Sequence, residues 1–296
     1  MYGANTNSPL RGDYSRARAD FTVEQSWHPY TQDDHALWRR LYQRQSQLVA
    51  DHACREFAQG LARTDCSARI PDLEDINAML TPASGWRLVA VPGFIPDEQF
   101  FRHLAARQFP VTVWLRKPEE FDYLVEPDIF HDFFGHVPML FDRGFGDFVQ
   151  RYGEQGLRAL EVGALPLIAR LYWYTVEFGL IEDRAHPQDG LRAYGAGILS
   201  SGGETPYSTE SPLPLRVRFD MRRCMRTRYM IDDFQKTYFV IRSIDELKAA
   251  VAQDTVPLLR QLQGEPELQP DTLYPGDQPV PPRPAAAAAS RPRAAA

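Results

Sequence analysis

The stretch Glu126-Pro127-Asp128-Ile129-Phe130-His131-Asp132-Phe133-Phe134-Gly135-His136-Val137-Pro138 sets two imidazoles five residues apart in an otherwise apolar run. Ile129, Phe130, Phe133 and Phe134 assign it to a core. Histidines and carboxylates drawn into a core need partners, and a metal ion is the simplest one. Residues five apart on an ideal helix diverge by about 140°. For both imidazoles to reach one ion, the helix must begin, bend or end between them, and Gly135 and Pro138 supply that break. The plain alternative is two core histidines satisfied by backbone carbonyls.

A third ligand is sought elsewhere. In Trp173-Tyr174-Thr175-Val176-Glu177-Phe178-Gly179, Glu177 is the only acidic residue of a deeply apolar helix. Such a glutamate is rarely buried unless it is paired or ligating. An ion pair with Arg170 or Arg184 is the plain reading. Two neutral imidazoles and one carboxylate, with no thiolate, form the facial set that leaves open positions on Fe(II). A zinc hydrolase can use the same three ligands, with Asp132 or Glu126 as its general base, so ligand type leaves the metal open.

The whole chain narrows the class. Its 296 residues are 44% hydrophobic and 24% charged, which suits one domain of about 240 residues with tails. A net charge of −6 argues against nucleic acid or an anionic membrane as a partner. Cys54, Cys66 and Cys224 form no CxxC pair, so neither a disulfide framework nor a thiolate zinc site is expected, and a reducing cytoplasm is. Residues 1–20 lack the apolar segment of a secretory signal, and no apolar run reaches the roughly 18 residues of a membrane span.

Residues 1–24 read as a flexible lead-in, 25–264 as the folded domain and 265–296, rich in Pro and Ala, as a disordered tail. Helical spacing begins after the cap candidates at Thr31–Asp34 and continues past Asp51 through Phe57 and Leu61. Further helices are expected at 73–80 (ending before Pro82), after Pro96, and at 141–160, 165–178 and 244–252. Strands are expected at 87–91, 109–115, 215–219 and 237–241, with Arg116 at the end of the second. The Gly- and Ser-rich segment 191–204 reads as a loop. The fold class is therefore mainly α with a few short β-strands.

Three blocks, EPDIFHDFFGHVP (126–138), WYTVEFGL (173–180) and AYGAGILSSGGE (193–204), closely resemble in order and separation the pterin-dependent aromatic amino acid hydroxylases. The resemblance covers residues 27–262 and implies a single catalytic domain of that type, at 25–264, that binds iron and pterin. It implies that His131, His136 and Glu177 hold non-haem Fe(II), with O2 and a tetrahydropterin (tetrahydrobiopterin or tetrahydromonapterin) as co-substrates. Arg116 matches the arginine that clamps the amino acid carboxylate, a task suited to a guanidinium fork. Glu126 and Pro127 match the rim between substrate and metal, and Trp173, Gly197 and Ser200 match the substrate pocket. Glu126 and Trp173 are thereby the candidate catalytic residues. Phe94, Asp97 and Phe100 fall in the pterin segment, with Phe100 stacked on the ring and Asp132 and Tyr172 flanking it.

Trp173 favours phenylalanine or tyrosine over tryptophan. Ile231 is apolar where tyrosine hydroxylases tend to place an acid, and a phenyl ring wants an apolar wall. The implied activity is 4-hydroxylation of L-phenylalanine to L-tyrosine; the same chemistry on tyrosine or tryptophan is the alternative. Two departures concern fine contacts: Leu124-Val125 stands where animal members carry Thr-Pro, and Pro110 replaces a pterin-side histidine. The chain has no room for an N-terminal regulatory domain and no heptad tail. A monomer of the shorter bacterial form is expected.

Overall fold

The computed structural model describes residues 11–25, 30–183 and 190–283. Trp27 and Arg184 lie outside the described residues. Helix α1 (Gln32–His52) starts at a reciprocal cap: Asp34 N–H donates to Thr31 Oγ1 at 3.1 Å, and Thr31 N–H donates to Asp34 Oδ2 at 2.8 Å. Its inner stripe buries Leu37, Trp38, Leu41 and Tyr42. The helical pattern does not run on unbroken into Phe57. Ala53 and Cys54 are extended, Cys54 N–H donates to Ala193 O at 2.9 Å, and a new helix, α2 (Arg55–Thr64), follows. Helix α3 (Leu73–Ser84) passes through Pro82 rather than stopping before it. A proline in the last turn removes one bond without ending the helix.

Strand β1 (Arg87–Val91) leads to α4 (Asp97–Ala105) and then to β2 (Gln108–Thr112), which pairs parallel to β1 with Arg87 opposite Gln108. The expected strand 109–115 stops early. Beyond Thr112 the chain pairs instead with the central stretch: Ile129 N–H donates to Trp114 O and Arg116 N–H to Asp128 Oδ2, both at 2.9 Å. Arg116 therefore sits beside the metal-binding stretch, four residues past the strand.

A π turn (His131–His136) runs directly into α5 (Val137–Leu140), followed by α6 (Arg143–Glu161) and α7 (Leu165–Tyr172). A second π turn (Trp173–Glu177) extends α7. Strands β3 (Leu180–Glu182) and β4 (Leu191–Ala193), helices α8 (Ala196–Leu199) and α9 (Glu204–Glu210), β5 (Leu215–Arg218), α10 (Met221–Arg226), β6 (Thr237–Ile241), α11 (Ile244–Val251) and α12 (Val256–Leu262) complete the order. The four strands from β3 onward form one sheet, ordered β4-β3-β6-β5. The segment 191–204 is thus a strand and a short helix, not a loop; its small residues allow close packing. Among the described residues, no helix is long and apolar enough to cross a membrane.

The described parts of both expected tails, residues 11–24 and 265–283, are docked on the domain rather than free. Val23 N–H donates to Ala90 O at 2.9 Å, and Arg11 pairs with Glu120. At the other end Leu268 and Val280 are buried, Val280 N–H donates to Arg216 O at 2.8 Å, and Asp277 holds buried Arg223 at 3.0 Å. Composition misses this because one apolar side chain per turn of tail is enough to dock it on an existing surface.

Candidate active site

A π turn closes with i→i+5 hydrogen bonds, as Phe178 N–H to Trp173 O does at 2.8 Å. Residues five apart then return to one face. His131 and His136 share a space for this reason, and the expected break at Gly135 and Pro138 is not there. Gly135 has another use: a Cβ on it would come within 2.9 Å of Ala196 O, so α8 packs directly on the turn. The two π turns face each other and deliver three ligand atoms, mutually within 4.8 Å, to one point.

Their contacts fit a cation. His131 Nε2 lies 3.3 Å from His136 Nε2, and these atoms lie 3.4 and 3.3 Å from Glu177 Oε2 and Oε1 respectively. Ser200 fixes the His131 tautomer. Its single hydroxyl proton goes to Ala196 O at 2.8 Å, so His131 Nδ1–H, 2.9 Å away, must be the donor to Ser200 Oγ. Nε2 of His131 is then a bare lone pair aimed at Glu177 and His136. Glu177 is 2% exposed and its Oε2 accepts no hydrogen bond. Burial alone would raise its carboxyl; the charge of His136 and contacts to both imidazoles outweigh burial and hold it well below the usual range. The plain alternative for Glu177 fails at Arg170, which pairs with Glu267. A bare His131 nitrogen set between a second imidazole and a buried carboxylate is an arrangement that a divalent metal resolves. Phe109 and Tyr172 pack beside the His136 ring, at centroid distances of 4.8 and 6.4 Å.

Arg116 is anchored by a residue that the sequence reading passed over. Asp128, fully buried, accepts from Arg116 Nε and Nη2 at 2.9 Å each and from His131 N–H at 3.0 Å. One edge of the guanidinium fork is used, and Arg116 still lines the main cavity. Burial works against the charge on Asp128, but Arg116 and the amide donors prevail and keep its carboxyl low.

Two cavities meet at the triad. The larger, of about 640 Å³, is bordered by Arg116, Pro127, Trp173, Gly197, Ser200 and Ile231. A smaller one, of about 70 Å³, is bordered by Phe100, Pro110, Asp132, His136 and Tyr172. Phe94, Pro127, His131 and Glu177 border both. The residues expected around pterin therefore divide: Phe100, Asp132 and Tyr172 lie on the small side, Phe94 on both, and Asp97 on the large side. Phe100 packs edge-on to Tyr172 at 5.6 Å, and Asp132 accepts from Thr112 N–H at 2.8 Å. Glu126 borders neither cavity; its Oε2 accepts from Arg11 N–H at 3.4 Å.

The sequence profile described as biopterin-dependent aromatic amino acid hydroxylase matches residues 22–265. The chain belongs to this family. Among its relatives, a phenylalanine-4-hydroxylase of Chromobacterium violaceum is 53% identical over 260 residues, covering 86% of each chain. One from Ralstonia nicotianae is 51% identical over 266 residues, covering 90% of this chain and 84% of the relative. The crystal structure of the Chromobacterium violaceum enzyme with bound oxidised Fe(III) superposes with a TM-score of 0.86 at 51% identity, covering 89% of this chain and 95% of that one.

As a pterin-dependent hydroxylase, the chain places further residues at its site. Tyr14 and Phe21, upstream of the matched profile, line the larger cavity, and Tyr14 OH donates to Phe94 O at 2.9 Å. Glu204 and Gln235 line it too. The signal for Asp128 was an acid set directly against the apolar pair Ile129 and Phe130, readable by the same logic as Glu177. Tyr14 and Phe21 carry no such signal, because a polar lead-in shows its docking only in three dimensions.

Proposed function

We propose that this chain is an Fe(II)- and tetrahydropterin-dependent phenylalanine 4-monooxygenase, converting L-phenylalanine to L-tyrosine. The observation that carries it is the convergence of two imidazoles and a buried carboxylate at the junction of two cavities, one of them holding an anchored arginine. The names borne by relatives at about half identity supply the substrate. His131, His136 and Glu177 would hold iron, which with the pterin supplies oxygen activation.

The protein's own residues do the rest. Arg116 takes the substrate carboxylate on the edge that Asp128 leaves open, a charge-assisted contact of defined direction. Trp173 and Ile231 wall the ring, Pro127 and Gly197 shape the passage toward the triad, and Ser200 keeps His131 in the ligating tautomer. A Cβ at residue 197 would come within 2.7 Å of the Phe178 ring, so only glycine keeps that wall thin. With the carboxylate fixed, distance selects the ring carbon presented to the metal. Phe94, Asp97, Phe100, Asp132 and Tyr172 form the pterin side, with Phe100 offering a ring face. Glu126 acts at one remove, from outside both cavities. The apolar lining excludes water from the reacting face.

The catalytic unit spans residues 25–264, with the docked segments 11–24 and 265–283 as supports. It works as a monomer in the cytoplasm, which its three free cysteines suit. The test is product analysis after Fe(II) loading, with phenylalanine, tyrosine and tryptophan offered in competition alongside a tetrahydropterin and O2. Tyrosine from phenylalanine is the expected dominant product. Hydrolytic activity with zinc and no oxygen uptake would overturn the reading.

A further inference from the structure

Trp173 packs against Tyr229, stacked at 4.4 Å, and against Phe178, tilted at 4.7 Å, so its ring plane is set by packing. Its indole N–H is held by the Gln235 side chain. Trp173 Nε1–H donates to Gln235 Oε1 at 2.9 Å, while Gln235 Nε2 donates to Met230 O at 2.9 Å and to Asp233 O at 3.4 Å. Only one orientation of the amide satisfies an indole donor on one side and carbonyl acceptors on the other. The Gln235 backbone is fixed as well: its N–H donates to Glu204 Oε1 at 3.0 Å, an oxygen that also accepts from Tyr238 OH at 2.6 Å. Gln235 is 2% exposed.

Two walls of the cavity are thereby tied through a single amide. One is the Trp173 ring. The other is the segment from Met230 to Asp233, which carries Ile231 into the same cavity. The gap between ring and segment decides how wide an aromatic side chain fits, and neither wall sets that gap alone.

We propose that Gln235 is a positioning residue that selects among aromatic amino acids by fixing the separation of Trp173 and Ile231. The inference rests on the reading of the larger cavity as the amino acid site. Gln235→Met keeps the volume and removes both polar ends. Gln235→Glu keeps an acceptor for the indole and sets a carboxylate oxygen against Met230 O and Asp233 O, replacing attraction with repulsion on the segment side.

The readout is the ratio of hydroxylated phenylalanine to hydroxylated tryptophan in one competition mixture. That ratio is unaffected by how much enzyme is active, so a merely destabilising change does not move it. Gln235→Met is expected to narrow the preference by about tenfold, the scale on which apolar pockets discriminate by size, mostly through the two KM values. Gln235→Glu is expected to narrow it less. A parental ratio in both variants overturns the proposal, as does lost activity at an unchanged ratio. If Gln235→Met does not fold, Gln235→Glu decides by the same criterion. The parent chain is assayed first: failure to hydroxylate phenylalanine there would sink the functional reading itself, separately from the role of Gln235.

Discussion

Arg116 and Asp128 face each other through two parallel hydrogen bonds, Nε to Oδ2 and Nη2 to Oδ1, both 2.9 Å, in a site closed to solvent. Asp128 also receives the His131 amide, so one carboxylate ties the proposed substrate clamp to the first proposed metal ligand. Asp128→Ala leaves a buried guanidinium unpaired, at a cost of about 3–5 kcal/mol. Denaturant unfolding is expected to show that loss. At temperatures where the variant remains folded, KM for phenylalanine rises. An unchanged KM would mean that Arg116 does not hold the substrate.

Ser200 touches His131 Nδ1 and would act on a bound metal through that ring. Ser200→Ala removes the acceptor of the His131 Nδ1 proton and frees the ring to rotate or change tautomer. Affinity for Fe(II) or Co(II), measured anaerobically by calorimetry, is expected to fall about 10- to 100-fold. Parental affinity would assign Ser200 to the substrate alone.

Glu204 gives a pH signature of stability. Burial pushes its carboxyl up to about 7, against hydrogen bonds from Tyr238 and the Gln235 amide. An acid with a raised folded pKa binds its proton more tightly when folded, so stability falls as pH rises from the unfolded value through about 7 and then levels. The contribution is on the order of 3 kcal/mol. Melting temperature across pH 5 to 8 is the measurement, against Glu204→Gln, which should flatten the slope in that window.

Tyr14 belongs to a segment outside the family profile yet holds the carbonyl of Phe94. Tyr14→Phe removes one hydrogen bond worth about 1 kcal/mol. Steady-state kinetics should show KM for the tetrahydropterin rising about fivefold with kcat little changed. An effect on phenylalanine KM alone would place Phe94 on the substrate side.

Much of this site was legible before any coordinates. The triad stood out because polar groups in apolar runs demand a reason, Arg116 and Trp173 because they match the motifs of the family, and periodicity located β1 and β6 closely. What could not be read was how five-residue spacing works. The π turns exist because tertiary packing stabilises a wide turn that local propensity does not favour. The second half of the strand expected at 109–115 was lost to Asp128 and Ile129, a competition between backbone partners distant in sequence. The docking of segments 11–24 and 265–283 likewise depends on surfaces made elsewhere.

The central claim concerns Glu177 most directly. Glu177→Ala is to be compared with the parent for bound Fe(II) and for tyrosine formed from phenylalanine with tetrahydropterin and O2, with circular dichroism confirming the fold. The account predicts a folded variant with weakened iron binding and no tyrosine above background. Full tyrosine formation by folded Glu177→Ala would contradict it.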